Sequence, residues 1–321
     1  MAFTIYASTD SGAPNLTGIT GSLLTVLDAC LVNGYGAKSA AGWSKPLANT
    51  ASYGMYKQGS GSVSCSLFVY DAGSGSAGGA EAQLTGWDSI TGIDNGAVTG
   101  SNQFPTLAQL AIGVGAVAVR KSSVPTSTAR TWIIYADSRT MYGFVKTSDI
   151  GNSYFSFAFG DFYSLRSGSI DASRCMIIGR VNPSSSTAAS DRLDALSAVN
   201  TAVTAHFAPH IASGTGTSIT LGKHGDGVKG STSALNGNVQ LLNSVDNGLY
   251  ISPVWLVESS TSSIRGRMRG FYQLCHATTS FVDGQQFTSS VDFPGRTFQL
   301  VQPSANNGTY LLETSDTLET N

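Results

Sequence analysis

A chain of 321 residues, 41% of them hydrophobic and 12% charged, is long enough for one large domain or two ordinary ones and too apolar for intrinsic disorder. The formal net charge of −2 supplies no basic field for nucleic acid, whose phosphates demand many Lys and Arg. With 37 glycines and so few charges, the composition suits a β-rich protein with many turns.

The opening "MAFTIYASTDSGAP" lacks a basic start followed by an apolar run, so no secretory signal is read and folding in the cytoplasm of the producing cell is expected. Phe3, Ile5 and Tyr6 can form an extended arm before Pro14, pairing with a sheet edge in the same chain or in a neighbour. The stretch "GSLLTVLDACLVNGYG" reads as a helix. Leu23, Leu24, Leu27, Cys30 and Leu31 recur at helical spacing, Ser22 can cap, and Asn33-Gly34 supplies the stop. Next, "SVSCSLFVYD" alternates Val63, Cys65, Leu67 and Val69 against Ser64, Ser66, Phe68 and Tyr70, the period of a strand. The glycine-rich "DAGSGSAGGA" then joins two strands of a hairpin.

The longest apolar run, Leu107 to Val119, is too short to cross a bilayer and reads as a buried strand or core segment. "ARTWIIYADSRTMYGFVKT" is a hairpin with Asp137-Ser138 at the turn, and "YFSFAFGDFYSL" and "SRCMIIGRV" continue the strand pattern. Pro, Ser and Thr fill "NPSSSTAAS", Asn182 to Ser190, as in a linker. A second helix is expected over "SDRLDALSAVNTAVTAHF", with Ser190 or Asp191 as cap and Pro209 beyond the end. Further strands are "SITLGKH", "LYISPVWLVES", "SIRGRMRGFYQLCH", "RTFQLVQP" and "TYLLETS". The expected architecture is mainly β: two antiparallel sandwich or barrel-like lobes with a few short helices. The lobes span residues 1–182 and 216–321, joined by a linker and helix over 183–215.

Few residues are placed for chemistry. "GDGVKG", Gly225 to Gly230, matches GxGxxG, but "STSALNGN" behind it is a poor helix start for holding a pyrophosphate. His206 and His210 would share a helix face, yet Pro209 lies between them. His224 and Asp226 have no third ligand nearby. Cys275 and His276 are adjacent, so on a strand they point to opposite faces and cannot form a nucleophile–base pair, with or without Asp283. The cysteines Cys30, Cys65, Cys175 and Cys275 form no CxxC pair and read as free, buried thiols. No catalytic residue, cofactor or metal is expected, and Asp283-Gly284 reads as a turn.

The segment "RGRMRGFYQLCHATTSFVDGQQF" draws more attention. On a strand, Arg265, Arg267 and Arg269 share one face, while Ile264, Met268, Tyr272 and Leu274 share the other. Guanidiniums about 7 Å apart repel and need carboxylates, carbonyls or an anionic ligand opposite. The three arginines are therefore candidate subunit-interface residues. The competing readings are a salt-bridged strand face within one chain and an anionic ligand.

"IRGRMRGFYQLCH" followed by "FVDGQQF" resembles the C-terminal signature of a family of tailed-bacteriophage virion proteins. "SGAPNLTGITGSLLTVLDACLVNGYG" resembles that family's N-terminus, "WDSITGIDNGAVTGSNQFPT" and "YFSFAFGDFYSLRSG" its middle, and "TYLLETSDTLETN" its closing residues. The resemblance is weakest over 183–245. It implies a non-enzymatic structural protein of the virion, made in the host cytoplasm and assembled with itself and other virion proteins. Its expected place is the tail, neck or baseplate, as part of a symmetric oligomer. A head decoration protein is the alternative, as is a surface module binding host glycan; a polysaccharide-degrading enzyme ranks third. Nucleic acid and membrane insertion are not expected.

Overall fold

The computed structural model describes residues 2–72, 80–105, 117–147, 153–166, 171–180, 196, 204–207, 210–211, 214–215, 219–222, 251–258, 263–274, 282–289, 294–301 and 310–315. The strands run β1 (Thr4–Ala7), β2 (Tyr53–Lys57), β3 (Ser66–Tyr70), β4 (Glu81–Asp94), β5 (Ala97–Phe104), β6 (Val117–Arg120) and β7 (Thr131–Ala136). They continue as β8 (Thr140–Thr147), β9 (Ser153–Asp161), β10 (Tyr163–Ser164), β11 (Cys175–Arg180), β12 (Thr204–Phe207), β13 (His210–Ile211) and β14 (Gly214–Thr215). The last are β15 (Ile219–Gly222), β16 (Ile251–Glu258), β17 (Ser263–Leu274), β18 (Gln286–Thr288), β19 (Thr297–Val301) and β20 (Tyr310–Glu313). One short helix, α1 (Ser22–Leu27), runs into a π-helical turn, Asp28–Asn33. The mainly β expectation is met.

An eleven-stranded sheet has the order β1-β7-β8-β9-β11-β6-β4-β3-β2, with β12 beside β11 and β5 beside β4. A seven-stranded sheet has the order β15-β16-β17-β20-β19-β18, with β10 beside β17. Neighbouring strands run antiparallel in both. Strands and core cross the expected lobe boundaries. β10, from the first half of the chain, pairs with β17, and β12, from the expected connector, pairs with β11.

The molecule is layered. One face of the first sheet packs on α1 and the π-helical turn: Leu23, Leu24, Leu27, Cys30 and Leu31 meet Tyr56, Leu67, Leu84, Trp132, Ile134, Phe157 and Phe159. The other face packs on the second sheet, where Tyr142, Phe144, Ala158 and Ile178 meet Val254, Leu256, Met268, Phe271, Tyr310 and Leu312. The Tyr142 and Phe271 ring centroids are 5.2 Å apart, and those of Phe271 and Tyr310 4.9 Å. The central strands are thus covered on both faces. That explains why "TWIIYA" and "CMIIGR" are nearly continuous in apolar residues.

Alternation placed β3 well. Cys65, Leu67 and Val69 enter the helix-side core, while Phe68 and Tyr70 join Met55, Trp87 and Ile90 on the opposite face. The expected hairpin is β7–β8, with Asp137 N–H donating to Thr140 O at 3.0 Å. Strands β3 and β4, on either side of the glycine-rich stretch, pair as expected. Of the run Leu107 to Val119, residues 117–119 are described, and they are buried in β6. Three of the four cysteines, Cys30, Cys65 and Cys175, are free and buried as expected.

Three expectations need correction, and one open alternative is resolved. Ser22 does not cap α1. Its Oγ donates to Thr17 O at 2.7 Å, and Asp71 Oδ2 instead accepts from Leu23 N at 2.8 Å and Leu24 N at 3.4 Å. The N-terminal arm pairs within its own chain: Thr4–Ala7 run against Ile133–Ala136, with Phe3 and Tyr6 buried. The helix expected over 190–207 ends in strand, because the open edge of β11 offers Thr204–Phe207 a hydrogen-bonded ladder and their Thr and Phe suit it. Residues 190–195 and 197–203 lie outside the described residues.

The last correction concerns β17. Pro253 pairs with Tyr272 but Trp255 with Arg267, so extra residues bulge from β17, and Gly270 there has φ +57°. Met268 and Phe271 consequently both enter the inter-sheet core, while Tyr272 and Leu274 join Phe298, Leu300 and Leu311 in a separate cluster. Ile264, which the alternation puts on the same face as Met268, is 54% exposed.

Packing in the first sheet leaves no slack at Gly143. A Cβ there would lie 2.2 Å from Cζ of Phe157, its cross-strand partner, whose ring is buried. Gly143→Ala is expected to destabilise by about 1–3 kcal/mol through overpacking, measured by urea denaturation. A loss under about 0.5 kcal/mol would mean that the ring shifts freely.

Candidate functional site

The arginine strand sits where the two sheets meet. Its three guanidiniums take different partners, all within the chain. Arg265 donates from Nη2 to Asp171 Oδ2 at 2.6 Å and from Nη1 to Ser164 Oγ at 3.0 Å, and its Nε is 3.5 Å from Glu258 Oε1. Arg267 lies over the Tyr163 ring, 5.3 Å from its centroid. Arg269 is 2% exposed and reaches into the first sheet. There it grips Asp137 with both terminal nitrogens, Nη2 to Oδ2 at 2.7 Å and Nη1 to Oδ1 at 3.1 Å, and Nη1 also donates to Thr140 Oγ1 at 2.8 Å. This corrects the subunit-interface expectation for Arg269, whose acidic partner lies in the same chain and whose side chain is enclosed by it. Arg265 likewise satisfies its charge internally, and Arg267 is half-buried.

The sequence marks Asp137 only as a turn residue. Its carboxylate closes the turn by accepting from Arg139 N and Thr140 N, each at 2.8 Å, and also holds Arg269 across the sheet interface. With four donors on two oxygens, it is spent on positioning rather than on proton transfer. Burial works against the Arg269 charge. The hydrogen bonds and charge of Asp137 outweigh it and hold the guanidinium above its ordinary pKa.

A second carboxylate, Asp161, lies at the end of β9. Gln58 Nε2 donates to its Oδ1 at 2.8 Å, Arg139 Nη2 approaches Oδ2 at 3.3 Å, and Arg174 Nε approaches the same oxygen at 3.4 Å. Burial pushes the Asp161 pKa up despite these donors. Thr140 Oγ1 donates to the Asp161 carbonyl at 2.9 Å and so links the two aspartates into one network.

Asp171 behaves in the opposite sense. Burial alone would raise its pKa, but hydrogen bonds from Arg265 and Ser164, with the Arg265 charge, hold it below 3.8. Its contribution is therefore complete above the unfolded value and is lost as pH falls through the lower folded value. In acid unfolding, the stability gap between wild type and Asp171→Asn is expected to be open at pH 7 and to close as pH falls through the lowered Asp171 value. A gap independent of pH would refute the assignment.

The other sequence candidates do not converge with this network. His206 lies on β12 and His210 on β13, so they do not share a helix. Asp283 and Gly284 form the expected turn, with Gly284 at φ +83°. Gly225 to Gly230, His224, Asp226, Cys275 and His276 lie outside the described residues. Among the described residues, no three His, Cys, Asp or Glu side chains gather as a metal site.

Trp43, Trp87 and Trp132 are buried, which removes three of the four tryptophans from any sugar-stacking platform. An open groove of about 430 Å³ beside α1 is lined by Thr17, Thr20, Ser22, Thr25, Asn49 and Thr50, among others. Several of these polar groups close local structure. Thr17 Oγ1 accepts from Ile19 N, Thr25 Oγ1 donates to Gly21 O, and Thr50 Oγ1 accepts from Ser52 N and Tyr53 N.

No protein-family model matches the chain, and no curated protein matches it.

Proposed function

We propose that this chain is a non-enzymatic structural component of a tailed-bacteriophage virion, placed in the tail, neck or baseplate as part of a symmetric oligomer. One observation carries the reading: the stretches that resemble that family build the frame, and their charged groups are spent within it. "RGRMRGFYQL" is β17, the strand whose Arg265 and Arg269 tie the sheets and loops together. "YFSFAFGDFYSL" supplies β9, Asp161 and β10. The N-terminal stretch supplies α1 and its buried face. Buried ion pairs fix geometry more than they add stability, and fixed geometry is what a subunit of a symmetric particle needs.

Immunogold labelling of intact particles tests the reading directly, with signal expected on the tail, neck or baseplate. Labelling confined to the head surface would favour a decoration protein instead. Incubating the purified protein with host lipopolysaccharide or capsule is expected to release no oligosaccharide. Clear release would overturn the non-enzymatic reading.

Arg267 retains the interface role within this proposal. Arg267→Ala is expected to cost about 0.5–1 kcal/mol in the isolated chain, the scale of a cation–π contact near the surface, and to reduce incorporation into particles. Normal incorporation of the variant would make Arg267 internal scaffolding.

A further inference from the structure

The aspartate network is not balanced in charge. The charged groups acting most strongly on Arg139 are Arg269, Asp161, Arg174 and Asp137, so three guanidiniums face two carboxylates. Arg269 commits both terminal nitrogens to Asp137 and Thr140 in the interior, while its buried Nε has no hydrogen-bond partner among the described residues. The other two arginines lie at the rim, with side chains 26% and 20% exposed, and both turn toward a single oxygen, Asp161 Oδ2. Arg139 uses Nε and Nη2 for this contact, and Arg174 uses Nε alone. Among the described residues, Arg139 Nη1 and both terminal nitrogens of Arg174 have no hydrogen-bond acceptor. The exposed turn at Ser60 and Gly61 runs past Arg139, where a Cβ on Gly61 would lie 3.7 Å from Arg139 Cδ. Ser138 Oγ fixes that turn by donating to Ser60 O at 2.9 Å.

We propose that Arg139 and Arg174 form a binding site for an oxyanion, a phosphate or a carboxylate, at the rim of this network. Two guanidiniums held side by side by one buried carboxylate are a preorganised pair. Their mutual repulsion is already present in the unliganded protein, and an added anion relieves it. Planar forks match the oxygens of phosphate or carboxylate. The oxyanion is either a free ion or an acidic side chain of a second copy of this chain; the chemistry of recognition is the same.

The test is thermal unfolding of the full chain titrated with inorganic phosphate, and separately with acetate, at constant ionic strength maintained with chloride. Wild type is expected to show a saturable rise in Tm of about 2 °C. Arg174→Gln is expected to abolish it. A response that is absent in wild type, that never saturates, or that is equal in Arg174→Gln would overturn the site. Should Arg174→Gln fail to fold, Arg174→Lys carries the comparison. It keeps the charge but loses the fork, so the shift should fall by about half or more, and an unchanged shift refutes the proposal. Sedimentation velocity separates the two sources. If phosphate that binds also dissociates self-associated protein, the natural occupant is a carboxylate of a second copy. If it binds without changing sedimentation, the occupant is a free ion.

Discussion

Replacing Arg269 with Met is expected to lower the unfolding free energy by about 3–5 kcal/mol, because it leaves the Asp137 carboxylate buried without its cation. The pair is bidentate, both side chains are nearly inaccessible, and it joins residues 132 positions apart. The guanidinium also lies 5.8 Å from the Phe3 ring centroid and 5.7 Å from that of Tyr163, so its loss loosens aromatic packing around the sheet interface. Asp137 would keep its two backbone donors, so the hairpin turn itself should survive. The double variant Arg269→Met with Asp137→Asn leaves no uncompensated charge and should recover at least about half of the loss. Urea denaturation of wild type, both single variants and the double variant decides the matter. A single-variant loss below about 1 kcal/mol, or additive losses in the double, would show that the pair is not what joins the sheets.

Lys121→Met is expected to be of similar size, about 3–5 kcal/mol at neutral pH. Lys121 and Asp71 are both fully inaccessible. Lys121 Nζ contacts Asp71 Oδ1, donates to Ile19 O at 2.8 Å and lies 3.2 Å from Ser22 Oγ, while Asp71 Oδ2 caps α1. Burial raises the Asp71 pKa and lowers that of Lys121, in each case against the partner's attraction, which marks a pair held at a desolvation cost. Removing the lysine removes the attraction and leaves the cost. Because the folded pKa of Asp71 lies above its unfolded value, the folded variant takes up a proton as pH falls, and this relieves the penalty. The deficit of Lys121→Met relative to wild type should therefore be largest near pH 7 and shrink on acidification through the raised Asp71 value. A deficit that stays constant on acidification from pH 7 down to the onset of acid unfolding would show that Asp71 is not the residue left stranded.

Both predictions concern charges whose partners the sequence did not disclose. The arginine row on β17 was visible as a pattern, and so was its need for acidic or carbonyl groups opposite. What was not visible was that Asp137, already accounted for as a turn residue, served two roles. Asp71 and Asp161 carried still less signal, because single aspartates at strand ends look like ordinary punctuation. The bulge near Gly270 was likewise hidden. An odd number of inserted residues reverses the alternation, so Met268 and Phe271 share a core although their spacing is odd.

Local regularities were determined by the sequence alone: the alternation in β3, the β7–β8 hairpin, and the apolar face of α1 and the π-helical turn behind it, which stops at Asn33-Gly34. Each depends on backbone geometry within a few residues, where period and turn chemistry act directly. The stacking of the two sheets, the pairing of β10 with β17 and of β12 with β11, the distant cap on α1 and the partner of every buried arginine were decided only by the tertiary structure. These depend on which apolar faces bury one another. Once the sheets stack, a buried charge must find its counterion wherever the fold has brought one, at a sequence separation that no local pattern encodes.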